Sequence, residues 1–254
     1  MCRPGRWPWP RHSCSRSFVL QPNATDPSEG MIKQAQQSTP KDQYPHVEFH
    51  VASAESLPFL ETNSVDMVVA GQAAHWFDFP KVFTELKRVV RQGGTMAFWG
   101  YKDHVFVDYP RATDLTNHYA YDLDNDKLGP YWSQPGRSYL QDKLRVIKPP
   151  DNDWEDIERI EYEPGTAGGA SGEGTMSMNT RISIAQCKEY MRTWSSYHGW
   201  KETHKGMQAR SKRGEGDVVD ELFDKIAAET PDFKNESREV NLEWGSALIM
   251  ARKN

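Results

Sequence analysis

The sequence is poor in cysteine, in long apolar runs and in excess charge of either sign. Its 254 residues hold three cysteines, Cys2, Cys14 and Cys187. A set so sparse and odd gives no disulfide framework and suits a reducing compartment. No apolar stretch approaches the roughly 18 residues of a membrane span. The formal net charge is −5, so no overall basic field invites nucleic acid. Cys2, His12 and Cys14 lack a partner pair of ligands, and no metal is expected. These absences point to a cytoplasmic protein with no membrane or nucleic-acid partner; they leave its oligomeric state open. What the chain does have is aromatics, with nine Trp, ten Tyr and ten Phe. Such side chains bury much area each, and the length suffices for one large domain or two small ones.

Residues 1–22 are compositionally apart from the rest. "MCRPGRWPWPRHSCSRS" mixes Arg, Pro, Trp, Ser and Cys without period. Arg3, Arg6, Arg11 and Arg16 resemble a transit peptide, but Pro4, Pro8 and Pro10 oppose a helix. A disordered tail is expected. Residues 23–254 are expected to form one domain. Its parts are a cofactor-side α/β core at 23–101, a substrate-covering region at 102–215, and a terminal helix and strand at 216–254.

"FVLQPNATD" predicts a short first strand, and "DPSEGMIKQAQQS" a helix with Asp26 as N-cap and Pro27 at its first position. Glu29, three residues after Asp26, completes a capping box. Val47, Phe49 and Val51 alternate in "PHVEFHVAS" and predict a strand. Met67, Val68 and Val69 form the continuous apolar run of a buried parallel strand. Val82, Leu86, Val89 and Val90 mark one helix face, with Gly93-Gly94 as its C-cap. "TMAFWGY" is the next strand. Strands and helices alternating with short loops favour a parallel, doubly wound α/β sheet. Beyond Tyr101 the pattern loosens into irregular helices. "WEDIERIEYEP" reads as a strand, and 165–175 as a flexible Gly/Ala/Ser loop. A helix carries Ile184, Cys187, Tyr190, Met191 and Trp194 on one face, and another is stopped by Pro231. Two apolar stretches around Gly245 end the chain, the last a buried strand.

Ligands of open α/β sheets bind at the carboxyl ends of the strands. There the sequence places Asp26, then Ser53-Ala54-Glu55, then Gly71-Gln72-Ala73-Ala74-His75-Trp76. An acid after one strand can accept two bonds from a ribose diol. A polar turn after the next can read an adenine edge, and a Gly after the third lets a cofactor approach the backbone. The bland alternatives stand beside these. Asp26 serves as helix cap, ribose ligand or both; Glu55 is a loop acid; His75 bonds to backbone in a turn; Trp76, Phe77 and Phe79 are core.

"DPSEGMIKQA", "ASAESLPF", "SVDMVVAGQAAHWFD" and "ELKRVVRQGGTMAFW", in this order and spacing, resemble the class I S-adenosylmethionine-dependent methyltransferases, and within them the fungal trans-aconitate methyltransferase-like group. The resemblance implies a Rossmann-like sheet and S-adenosyl-L-methionine as cofactor. It implies that Asp26 binds the ribose and that Ser53, Ala54 and Glu55 contact adenine. Many relatives have Asp where Ser53 stands. Gly71, Gln72 and Ala73, with Ala74, would lie under the sulfonium, and His75 and Trp76 would face the substrate.

The resemblance also requires a first strand and a glycine-rich turn, roughly D-x-G-x-G-x-G, about twenty residues before Asp26. Only "CRPGRWPWPRHS" stands there, with Gly5 alone. The expectation is therefore a chain truncated or mistranslated at its start, lacking its first strand and glycine loop. Without the turn's backbone N–H groups, it should bind the cofactor weakly or not at all.

The activity implied is transfer of a methyl group to the oxygen of a small-molecule carboxylate or hydroxyl, of primary or secondary metabolism. A carboxylate needs no strong base, whereas a hydroxyl would need one, and His75 is the first candidate. Arg137, Arg181 or Arg192 could pair with an acidic substrate, although each reads more readily as a surface residue. The rival from another class is an impaired fragment or pseudoenzyme that acts as a binding partner. An NAD-dependent oxidoreductase fits poorly, since its fingerprint glycines are absent too.

Overall fold

A computed structural model describes residues 21–176 and 178–254. The expected disordered tail, the expected strand residues Phe18, Val19 and Leu20, and Cys2, His12 and Cys14 lie outside the described residues, apart from Gln21 and Pro22 of the tail. The chain divides into two compact units between Ser56 and Leu57.

In the first unit β1 (Asn23–Asp26) and β2 (Glu48–Val51) pair in parallel, Asn23 opposite Glu48 and Asp26 opposite Val51. The helix between them, α1 (Glu29–Ser38), is the crossover that the sequence predicts. Its cap is not the predicted one. Ser28, not Asp26, is the N-cap, its hydroxyl accepting from Met31 N at 3.3 Å. Asp26 Oδ1 accepts from Ser28 N at 2.7 Å. An aspartate bonding the backbone two residues on makes its own turn, which moves the helix start past Pro27. Val47 and Phe49 are half-buried as their alternation requires, but Val51 is exposed.

The second unit is built on a mixed sheet. β3 (Val65–Gly71) lies parallel to β4 (Val90–Phe106), the two joined by α2 (Phe79–Val89). Next come α3 (Pro110–Tyr121), α4 (Gly136–Gln141), β5 (Trp154–Glu163), β6 (Glu173–Gly174) and β7 (Asn179–Ser183). The chain closes with α5 (Ile184–Met191), α6 (Ser195–Thr203), α7 (Val218–Glu229) and β8 (Glu239–Lys253). The strand order is β3-β4-β8-β5-β6, with β7 also pairing β8. Only β3 and β4 run parallel here; β8 is antiparallel to β4, β5 and β7. The doubly wound parallel pattern thus survives in β1–α1–β2 and β3–α2–β4, and β8 reverses it.

Helix α2 forms for local reasons. The Asp78 carboxylate caps it, accepting from Lys81 N, and Pro80 sits in its first turn where a missing N–H is harmless. Val82, Phe83, Leu86 and Val89 are buried along one face. Its C-terminus departs from expectation. The helix stops at Val89, and Gly93 and Gly94 belong to β4 rather than to a helix cap. There the register slips, so that Val65 opposes Val90 while Met67 opposes Thr95. The extra β4 residues are taken up where Gly93 adopts φ +71° and where a Cβ on Gly94 would come 2.6 Å from Val90 Cγ1. The last carbonyls of α2 are met from far along the chain. Lys253 Nζ donates to Lys87 O, Val90 O and Asn63 Oδ1. A cation at a helix C-terminus is the favourable sign for the helix dipole.

The apolar run of β3 is not buried on both faces. Met67 and Val69 are exposed while Ala70 is buried, because β3 is the end strand of its sheet. The 165–175 segment is more ordered than its composition suggests. Gly174 pairs with Tyr162 in β6, and Ala170 N donates to Glu243 Oε1 at 2.6 Å. The predicted helix that carries Ile184, Cys187, Tyr190, Met191 and Trp194 ends at Met191, with α6 following as a second helix, and the two apolar stretches around Gly245 are one strand, β8. The main core gathers Phe106, Ile184, Trp200, Leu222, Phe223 and Leu242 from α5, α6, α7 and the strands beneath them. Among the described residues no helix is long and apolar enough to cross a membrane.

Candidate functional site

The carboxyl end of β3 is fixed by one side chain. Gln72, at φ +52°, bonds the backbone of β4 with both ends of its amide: Nε2 donates to Tyr101 O at 3.0 Å and Oε1 accepts from Tyr101 N at 2.8 Å. The amide thus stands in for a further rung of the β3–β4 ladder and locks the loop that follows. Replacing Gln72 by Ala leaves both backbone groups of Tyr101 without this partner. It is expected to cost roughly 1–3 kcal/mol, read as a lower midpoint in urea unfolding.

Beyond Gln72 the chain makes a 3₁₀ turn, Ala74–Trp76. His75 is buried there, and Trp76 projects, 59% exposed, instead of joining the core. The first residue of α4 packs on this turn. A Cβ at Gly136 would meet His75 O at 3.0 Å, His75 Cδ2 at 3.1 Å and the Trp76 ring at 3.3 Å. Glycine therefore lets α4 approach, and the next residue, Arg137, enters the same space. Arg137 is 9% exposed, contrary to a surface reading. Its Nη2 bonds the Asp103 carboxylate and the Tyr121 hydroxyl, and its guanidinium lies 3.8 Å from the centre of the Trp132 ring. Burial works against its charge, but Asp103 and Tyr121 outweigh burial and hold its pKa above the ordinary value. Beside it the His75 imidazole is pushed down to about 4, by burial first and by the Arg137 charge second. His75 is therefore neutral near pH 7, and its Nδ1 has no hydrogen-bond partner.

These groups line a cavity of about 320 Å³ whose other walls include Tyr101, Lys102, Tyr190 and Trp194. Lys102 is committed to Glu163 at 2.5 Å, and its stem lies over Gly245, where a Cβ would come 2.5 Å from Lys102 Cε. The other arginines considered from sequence lie elsewhere. Arg181 is exposed and pairs with Glu239 at 2.8 Å. Arg192 is buried, but Asp217, Asp220 and Glu189 hold it.

In the first unit the structure brings together the predicted cofactor residues. Asp26 ends β1 and Val51, opposite it, ends β2, so Ser53, Ala54 and Glu55 follow at the same edge. Ala52 N donates to Asp26 O at 3.2 Å, and Ser56 N to Ser53 O at 3.2 Å, which closes the turn. One Asp26 oxygen is pinned by Ser28 N, which orients the carboxylate at the strand end. This donor set fits a ribose diol and a purine edge. In the second unit Gly71 is exposed at the strand end, and a Cβ there would come 3.2 Å from the Trp99 ring. Sequence reasoning names His75, Trp76, Gln72 and Arg137, and these four line the cavity. It missed Asp103, Tyr121, Trp132 and Tyr190, which carry no motif and meet only through tertiary packing. Among the described residues no group of three His, Cys, Asp or Glu is placed to hold a metal.

The family described as Methyltransferase domain matches residues 13–98. This match and the methyltransferases similar to the chain support an S-adenosylmethionine-dependent methyltransferase on a Rossmann-like α/β fold. The chain is 28% identical over 250 residues to a protein of Saccharomyces cerevisiae named "Probable S-adenosylmethionine-dependent methyltransferase", covering 93% of this chain and 81% of that protein. It is 26% identical over 228 residues to a "Putative methyltransferase" of Dictyostelium discoideum, covering 90% and 72%. Its fold is shared, with a TM-score of 0.62 and 24% identity over 92% of this chain and 81% of the other, by "a Putative Type II Methyltransferase from Anaeromyxobacter dehalogenans".

Proposed function

We propose that the protein methylates the oxygen of a small-molecule carboxylate or hydroxyl, in the manner of the trans-aconitate methyltransferase-like group that its sequence resembles. The observation that carries this reading is the cavity of Trp76, His75 and Arg137 opening directly beyond the β3 strand end. S-adenosylmethionine supplies an activated methyl group on a sulfonium. Asp26 accepts the ribose hydroxyls, and the Ser53-Ala54-Glu55 turn reads the adenine. Gly71, Gln72 and Ala73 keep the backbone open and fixed where the reacting methyl must approach. Trp76 and Arg137 orient the acceptor, and His75 is the group nearest to hand for a hydroxyl proton. Proximity and orientation supply most of the rate.

Substitution of Asp26 tests the donor half. The Ser28 hydroxyl caps α1, so within the fold Asp26→Ala removes only the carboxylate's bond to Ser28 N. It should weaken S-adenosylhomocysteine binding roughly 10- to 100-fold, the worth of charge-assisted hydrogen bonds. An unchanged affinity in calorimetry would remove Asp26 from the site.

A further inference from the structure

Four kinds of acceptor compete for the cavity, and its walls and charges discriminate among them. The walls are rings: Trp76, Tyr101, Trp132, Tyr190 and Trp194 all line it. Its two cations differ. Lys102 is spent on Glu163 at 2.5 Å. Arg137 bonds Asp103 and Tyr121 through Nη2 alone, and its Nε, on a side chain nine-tenths buried, has no partner. The guanidinium therefore keeps an uncommitted N–H donor at Nε. Resting on the methyltransferase reading above, we propose that the acceptor is an aromatic monocarboxylate, its carboxylate held on the unpartnered Nε–H of Arg137 and its ring against Trp76 and Trp194.

A polycarboxylate would bring second and third charges to a cavity where, among the described residues, no other lining cation is uncommitted. A cationic amine would meet Arg137 and Lys102. A hydroxyl acceptor would have to lose a proton. His75, pushed down to about 4, lies far below the roughly 10 of a phenol, so it is a weak acceptor for that proton. Asp103 is already occupied by Arg137 and Tyr121. A carboxylate, with a pKa near 4, arrives ionised and asks for no base. The step balances without a proton: the carboxylate oxygen forms a bond to the methyl carbon, and the methyl–sulfur bond breaks with its electron pair left on sulfur. The products are a neutral methyl ester and a neutral thioether. A cavity of about 320 Å³ admits one or two rings and lies at the small end of ligand pockets.

The test is calorimetric binding of four probes to the full chain: 3-phenylpropionate, 3-phenylpropanol, 3-phenylpropylamine and propane-1,2,3-tricarboxylate. The expected result is that 3-phenylpropionate binds roughly tenfold or more tightly than the other three. Trp76→Ala, at an exposed ring, should weaken it without loss of fold. Arg137→Gln alone strands the half-buried Asp103 carboxylate, so D103N/R137Q is the cleaner variant, and it should weaken 3-phenylpropionate roughly 10- to 100-fold while leaving 3-phenylpropanol unchanged. Equal or tighter binding of the tricarboxylate, the amine or the alcohol overturns the proposal. So does full affinity in the double variant, or no binding of any probe. S-adenosylhomocysteine, titrated separately, keeps the two readings apart. Its failure with 3-phenylpropionate still bound removes the methyltransferase reading alone, and the reverse removes only the acceptor class.

Discussion

Replacing Asp217 by Ala is expected to destabilise the protein by about 3–5 kcal/mol, the cost of stranding a buried partner charge. The Asp217 side chain is fully buried and serves three elements at once. Arg192 Nε and Nη2 donate to it at 2.8 and 2.9 Å, fixing α5 to α7. Tyr197 donates its hydroxyl at 2.8 Å and ties in α6. Asp220 N donates at 2.9 Å, which makes Asp217 the N-cap of α7 in a capping box. Alanine removes all four bonds. It also leaves the Arg192 cation in the interior with Asp220 and Glu189 as its remaining partners. Asn keeps the cap but not the charge, and should cost less. Urea unfolding reads both. A loss below about 1 kcal/mol for Asp217→Ala would show that the network is relieved by solvent.

Acid should unfold the protein in a window set by histidine before its carboxylates matter. His104 is buried among Phe106, Tyr190, Trp194 and Trp244, with Cys187 Sγ at 3.7 Å. Burial pushes its pKa down to about 4, and the neighbouring Asp103 opposes that only in part. The unfolded chain takes up this proton near pH 6.5 and the folded chain only near 4. The neutral imidazole therefore contributes its full stability above pH 6.5, and that contribution is lost as pH falls from 6.5 to 4. The loss approaches about 3 kcal/mol, since each tenfold difference in proton affinity between the two states is worth about 1.4 kcal/mol. His75 adds in the same direction over the same window. The carboxylates follow lower down. Asp220 is held at about 2: burial pulls upward, but Lys188, the Arg210 N–H and Arg192 prevail, so its share is lost only below the ordinary carboxylate range. His104→Phe keeps an aromatic ring in the cage and cannot titrate. Unfolding midpoints at pH 7 and pH 4.5 should lie closer together for this variant than for the parent. An equal drop in both would assign the acid sensitivity elsewhere.

Periodicity and cap chemistry made much of the fold legible. The β1–α1–β2 and β3–α2–β4 units follow from alternation and from the Val82, Leu86, Val89 face, and Pro231 stops α7 as its residue type suggests. The errors have specific causes. Asp26 and Ser28 are both good caps, and only the turn made by the Asp26 carboxylate decides between them. Gly93-Gly94 after an apolar helix face looks like a C-cap, yet a register slip in β4 uses the same glycines. Gly245 suggests a strand break, but its missing side chain makes room for the stem of Lys102 while β8 runs on. At the site, the strand-end residues were legible because their position follows from topology. The Asp103–Arg137–Tyr121 cluster was not, since its members are 16 to 34 residues apart and no local pattern pairs them. Arg137 was chosen from sequence as one of three arginines, and only packing distinguishes it from exposed Arg181 and from Arg192, which is held by α7.

Calorimetric titration of the full chain with S-adenosylhomocysteine tests the central claim most directly. One saturable site per chain is predicted, because Asp26 and the Ser53–Glu55 turn are in place at one strand edge. A folded sample that takes up no ligand at millimolar concentration would contradict it.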